Sequence, residues 1–133
     1  MKRIVTLLLF LAYVACDEQT KPDECPSNII CTEEFVSLYT QILEEDLPVE
    51  LESYRVENVE NGETYTFENV DDNNAQGLYI VITDAEFNEV KKEGTQLRLV
   101  GTTETDTEFI FDFVVGHDCC HIIPLSGPFY QAD

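Results

Sequence analysis

Positive charge is what this chain has least of: seven Lys and Arg stand against 27 Asp and Glu in 133 residues, a formal net charge of −20. Nucleic-acid binding needs clustered Lys and Arg to release phosphate counterions, and beyond the first three residues the one basic pair, Lys91-Lys92, is flanked by Glu89 and Glu93. Nucleic acid is therefore excluded as a partner, and net charge of this size speaks to solubility rather than fold. Long apolar runs are missing too. The stretch Ile4 to Val14 is about eleven residues, short of the roughly eighteen that span a bilayer. There is no G-x-S-x-G elbow: Ser126-Gly127-Pro128 reads as a turn, and Ser27, Ser37 and Ser53 have no histidine beside them in sequence. Helical periodicity is scarce, and no internal repeat or low-complexity segment is present.

What is there begins with the N-terminus. Lys2 and Arg3 precede the apolar run, the pattern of an export signal over residues 1–15. Ala15 is the small residue that cleavage requires, while bulky Tyr13 stands where an ordinary A-x-A site needs a second small side chain. Tyr13-Val14-Ala15-Cys16 resembles the lipobox of bacterial lipoproteins, with Tyr13 departing from the usual Leu as in the looser lipoboxes of Bacteroidetes. The resemblance implies acylation of Cys16, which becomes the new N-terminus; the competing reading is a secreted protein that starts near Cys16. Two or three acyl chains, at about 0.8 kcal/mol per buried methylene, hold a protein essentially permanently.

Residues 17–24 are polar and charged with one Pro, so they have nothing to bury, and residues 16–30 are expected to form the acylated cysteine and an acidic tether. Asp17-Glu18 is similar to the acidic export tag of Bacteroidetes surface lipoproteins. Without the leader, 118 residues remain with five basic and 27 acidic side chains, a net charge of −22. That length supports one domain, residues 31–133. Its charge repels an anionic bilayer, in keeping with a domain held off its membrane.

With Cys16 assigned to lipid, Cys25, Cys31, Cys119 and Cys120 form an even set in an exported chain, and two disulfides are the default. Three pairings are possible, one of them a vicinal Cys119–Cys120 ring. Adjacent residues on an extended chain point to opposite sides, which favours Cys25 and Cys31 each bridging to the pair.

The periodicity of the domain is two. Strands are expected at Phe35 to Ile42, Val49 to Val56, Thr64 to Phe67, Leu78 to Ile82, Gln96 to Thr102, Thr107 to Val115 and His121 to Leu125, with Asn61-Gly62 as a hairpin signal. Asp71 to Asn74 reads as a loop. Asp84 is placed to cap one short helix, with Phe87 and Val90 a turn apart and Gly94 to end it. Seven short strands with little helix predict an all-β fold, an antiparallel β-sandwich of the immunoglobulin or transthyretin type, with a small barrel as the alternative.

The one dense cluster of potential ligands is His117-Asp118-Cys119-Cys120-His121, which holds both histidines of the chain. On a strand His117 and His121 would face the same side about 13 Å apart, too far to share an ion unless the chain turns between them. Oxidised cysteines would also be lost as ligands, so disulfides with incidental histidines are the expectation, and a metal site at His117 and His121 the alternative. No cofactor and no catalytic residue is expected. Paired carboxylates are too abundant to mark a glycosidase site. The stretch Asp71 to Gly77 offers calcium-like oxygens but departs from the EF-hand pattern at Ala75 and Gln76, so a turn is the simpler reading. Phe109, Phe111 and Phe113 share one strand face and read as core.

Together the lipobox, the acidic tether, Cys31-Thr32-Glu33-Glu34-Phe35, and Val115-Gly116-His117-Asp118-Cys119-Cys120-His121 with Ser126-Gly127-Pro128 resemble small uncharacterised lipoproteins of Bacteroidetes. The resemblance covers both ends of the chain; residues 41–107 match only by strand pattern. It implies a β-sandwich lipoprotein with a disulfide-bonded DCCH turn and brings no activity with it. The expectation beside it is a non-enzymatic envelope lipoprotein displayed at the outer membrane for binding or structural support, and the alternative a metal-binding envelope protein using His117, Cys119, Cys120 and His121.

Overall fold

The computed structural model describes residues 25–68 and 71–132. The leader, Cys16 and the tether up to residue 24 lie outside the described residues. Nine strands are present among those described: β1 (Ser37–Gln41), β2 (Leu43–Glu44), β3 (Leu47–Pro48), β4 (Ser53–Asn58), β5 (Thr64–Tyr65), β6 (Leu78–Thr83), β7 (Thr95–Thr102), β8 (Glu108–His117) and β9 (Ile122–Ser126). All pairing is antiparallel. The larger sheet runs β5-β4-β7-β8-β9, while β1 pairs with β6 and β2 with β3.

Each of the seven expected strands has a counterpart, and the two extra ones come from the segment around Pro48. There Glu45 (φ 52°) and Asp46 (φ 67°) both take the left-handed conformation of a two-residue hairpin turn, so β2 folds back on β3. The expected strand at Val49 to Val56 consequently starts only at Ser53. Val49 and Leu51 are buried but irregular, held by the Tyr79 hydroxyl: it donates to Val49 O (2.9 Å) and accepts from Leu51 N (2.7 Å). Tertiary hydrogen bonding from β6 has displaced ladder pairing here.

The hairpin at Asn61-Gly62 forms, with Gly62 N donating to Asn58 O and Asn58 N to Glu63 O. Its second strand is clipped to Thr64–Tyr65. Phe113 is buried, and Phe109 and Phe111 pack against the core, opposite Leu97, Leu99 and Gly101 of β7 in the order Leu97↔Phe113, Leu99↔Phe111, Gly101↔Phe109. Ile110, on the other face, is 52 % exposed. The alternation seen in sequence is thus the pleat itself, and each fully buried aromatic or aliphatic side chain contributes about 1.5–3 kcal/mol. One core cluster joins Tyr79, Val81 and Ile82 of β6 to Val56, Leu97, Leu99, Phe113, Val115 and Ile122 of the larger sheet.

Two helical pieces interrupt the strands, where one was expected. Asp71–Asn74 is a single α-helical turn, α1, rather than an open loop. Asp84–Glu89 is a 3-10 helix, but its cap is Thr83 and not Asp84. Thr83 Oγ1 accepts from Ala85 N, and Glu86 Oε2 accepts from Thr83 N and Thr83 Oγ1 in a capping box. Asp84 is thereby released for another use. No helix among the described residues is long and apolar enough to cross a membrane.

Candidate functional site

The DCCH segment is the turn between β8 and β9. Asp118 builds it: its amide donates to His121 O (3.0 Å), while its Oδ1 accepts from Cys120 N (2.9 Å) and His121 N (2.8 Å). Those two backbone bonds hold the Asp118 carboxyl below its usual range. Cys119 adopts φ 81°, a left-handed conformation unusual for a residue with a Cβ. The neighbouring cysteines diverge on this turn, not on an extended strand, and bridge as Cys25–Cys119 and Cys31–Cys120.

Both bridges fasten one short segment, residues 25–31, to one turn. In the chain-entropy account the first bridge to close a loop of this size is worth about 4.7 kcal/mol. With it in place the second closes only a ring of about nine residues through the other bridge, worth about 2.5 kcal/mol.

His117 and His121 face different partners although the chain does turn between them. His117 Nδ1 accepts from Cys119 N (3.1 Å), and its ring lies 4.5 Å from that of Phe87. His121 Nδ1 bonds to Asp84 Oδ2 (2.8 Å) and Nε2 to Thr32 Oγ1 (3.0 Å). A carboxylate only accepts, so Nδ1 carries the proton, and on a neutral ring Nε2 then accepts from the Thr32 hydroxyl. With both nitrogens engaged, His121 has none to offer an ion beside His117.

Asp84 is the centre of this arrangement. Its Oδ2 accepts from Val36 N (2.8 Å) as well as from His121, and its Oδ1 from Ile122 N (2.9 Å). Burial pushes its carboxyl up, but the amides of Ile122 and Val36 and the His121 ring outweigh that and hold it below the usual range. The side chains of His121 and Asp84 are 16 % and 12 % exposed. Carboxylate, imidazole and hydroxyl follow the order of a hydrolase triad, yet triad chemistry also needs a substrate cleft beside the hydroxyl. Grooves on the surface lie at Arg98 and Asp112, at Leu51 and Thr103, and at Lys91, Lys92 and His117. What the hydrogen bonds do is join the Cys31–Val36 segment to the start of β9.

Thr32 and Asp84 are the site residues that the sequence reading did not place here. The signal for Asp84 was present in Thr83-Asp84-Ala85-Glu86, whose T-x-x-E pattern assigns the cap to Thr83. For Thr32 no local signal exists, since its partner lies 89 residues away. Asp72, Asn73 and Asn74, in the calcium-like stretch, belong to α1, where Gln76 and Gly77 amides close the turn onto Asn73 and Asn74 carbonyls.

No family model, no curated protein and no solved structure matches this chain.

Proposed function

We propose that the chain is a lipid-anchored lipoprotein of the bacterial envelope: a β-sandwich domain acylated at Cys16, carried on an acidic tether and serving as a non-enzymatic binding or structural module. The observation that carries the reading is the cysteine pairing. Of five cysteines four are consumed in Cys25–Cys119 and Cys31–Cys120, which leaves Cys16, in its lipobox-like context, as the odd one. Two disulfides in a chain this small suit an oxidising, exported location. The bridges also stitch residues 25–31, at the end of the tether, to the β8–β9 turn, so pull on the anchor passes through covalent links into the larger sheet. The core cluster shared by the β1–β6 sheet and the larger sheet supports the sandwich assignment.

The test is the mass of the protein purified from the membranes of a bacterial host. A mature chain beginning at Cys16 with thioether-linked diacylglycerol is expected, and C16S should abolish incorporation of labelled fatty acid. A mature chain without acyl groups, or one starting at another residue, would overturn the anchor. Protease shaving of intact cells then decides surface exposure: loss of the domain places it outside the outer membrane.

A further inference from the structure

The Sγ atoms of Cys25 and Cys119 and a ring nitrogen of His117 lie within 4.8 Å of one another. A tetrahedral zinc ion, with bonds of about 2.3 Å to sulfur and about 2.0 Å to nitrogen, needs its sulfurs about 3.8 Å apart, so only a small opening of the pair separates this geometry from a metal site. Cys25 is exposed and can make that movement. His117 lines an open groove with Val90, Lys91, Lys92 and Glu93, which gives an ion access.

We propose that the Cys25–Cys119 disulfide is the closed form of a redox-gated site for a thiophilic cation of the zinc type, with the two thiolates and His117 as its ligands. A dithiol reductant opens the site: its two thiols become a disulfide while Cys25–Cys119 becomes two thiols. Binding one Zn²⁺ then releases the two thiol protons to solvent. Two sulfurs and an imidazole form a soft set that favours zinc over calcium or magnesium, and the fourth position is left for water. The bridge Cys31–Cys120 makes this feasible. It holds the same two segments together while the first bridge is open, so Cys25, six residues along, stays near the turn. His121 and Cys120 take no part, being committed to Asp84 and Thr32 and to Cys31. The site does not depend on acylation of Cys16.

The experiment uses the full chain carrying C16S, so that the fifth cysteine adds no ligand, purified in mild detergent. Graded treatment with a tertiary phosphine, alkylation and peptide mass mapping should show Cys25–Cys119 opening before Cys31–Cys120. After removal of the phosphine without air, zinc chloride is titrated against a chromophoric chelator. One zinc per reduced chain is expected and none per oxidised chain, with H117A and H117Q each weakening uptake by at least about tenfold. C25S, in which Cys31–Cys120 still ties the segment down, should abolish uptake even after phosphine treatment. No uptake by the reduced chain, unchanged affinity in both His117 variants, or earlier opening of Cys31–Cys120 would each overturn the proposal.

Discussion

Asp84 accepts three hydrogen bonds from three parts of the chain, and an asparagine cannot replace it. The amide has one accepting oxygen, so its NH₂ must face either Ile122 N or the Val36 and His121 donors. At least one buried N–H is then left unpaired, and D84N is expected to lower stability by about 2 kcal/mol in urea unfolding. The pH dependence has a definite sign. A carboxyl held below its ordinary range contributes stability that is complete above the unfolded value, about 4, and is lost as pH falls through the depressed folded value. Asp118 acts in the same direction through its bonds to the His121 and Cys120 amides. The urea midpoint should therefore fall below about pH 4 in the parent protein, and D84N should show a shallower acid limb. At this scale the sequence was a partial guide. It marked Asp84 as a polar residue at a helix start, and the local T-x-x-E pattern gives the cap to Thr83, but which residues from positions 36, 121 and 122 would converge on the Asp84 carboxylate depended on long-range packing.

Gly77 shows what the elements demand of single positions. It lies between α1 and β6 with φ +67°, its amide donating to Asn74 O, as expected for a residue that ends a helical turn. A Cβ there would sit 2.5 Å from the backbone oxygen of Ile42, whose amide donates to Gly77 O. G77A combines left-handed strain with a clash against main chain that is itself fixed by the β1–β6 pairing, and should cost about 2–4 kcal/mol by thermal or urea unfolding. Loss of the cap in T83A should cost about 1 kcal/mol, read in the same way. Strand positions were legible because period-two patterning reflects burial of one face, as at Phe109, Phe111 and Phe113. Strand ends were less so. Val49 and Leu51 carry the pattern of β4 yet are withdrawn from it by the Tyr79 hydroxyl, a partner about 30 residues away. The hairpin at Glu45 and Asp46 escaped notice because no glycine stands in the turn and Glu45 is not a customary left-handed residue.

For the molecule as a whole, the two bridges are parallel ties and their removal is not additive. Taking away one pair, C25S with C119S or C31S with C120S, should cost about 2.5 kcal/mol, because the other still closes the long loop. Removing all four cysteines should cost about 7 kcal/mol, more than the sum of the two pair deletions and enough to threaten folding in a domain of this length. Denaturant unfolding of the three variants checks this, and equal costs that simply add would show that the bridges act independently. The sequence by itself determined the strand-rich class, the strongly acidic balance, the presence of four cysteines beyond Cys16 and the face on which the phenylalanines lie. All of these follow from composition and from a two-residue repeat, which are properties of local chain chemistry. Only the tertiary structure decided that Cys25 meets Cys119 and Cys31 meets Cys120, that His121 turns to Asp84 and Thr32, and that His117 is left beside the Cys25–Cys119 pair. Those contacts join residues about 40 to 90 positions apart, and their geometry is set by how β6, β8 and β9 pack rather than by any pattern within reach of a sequence window.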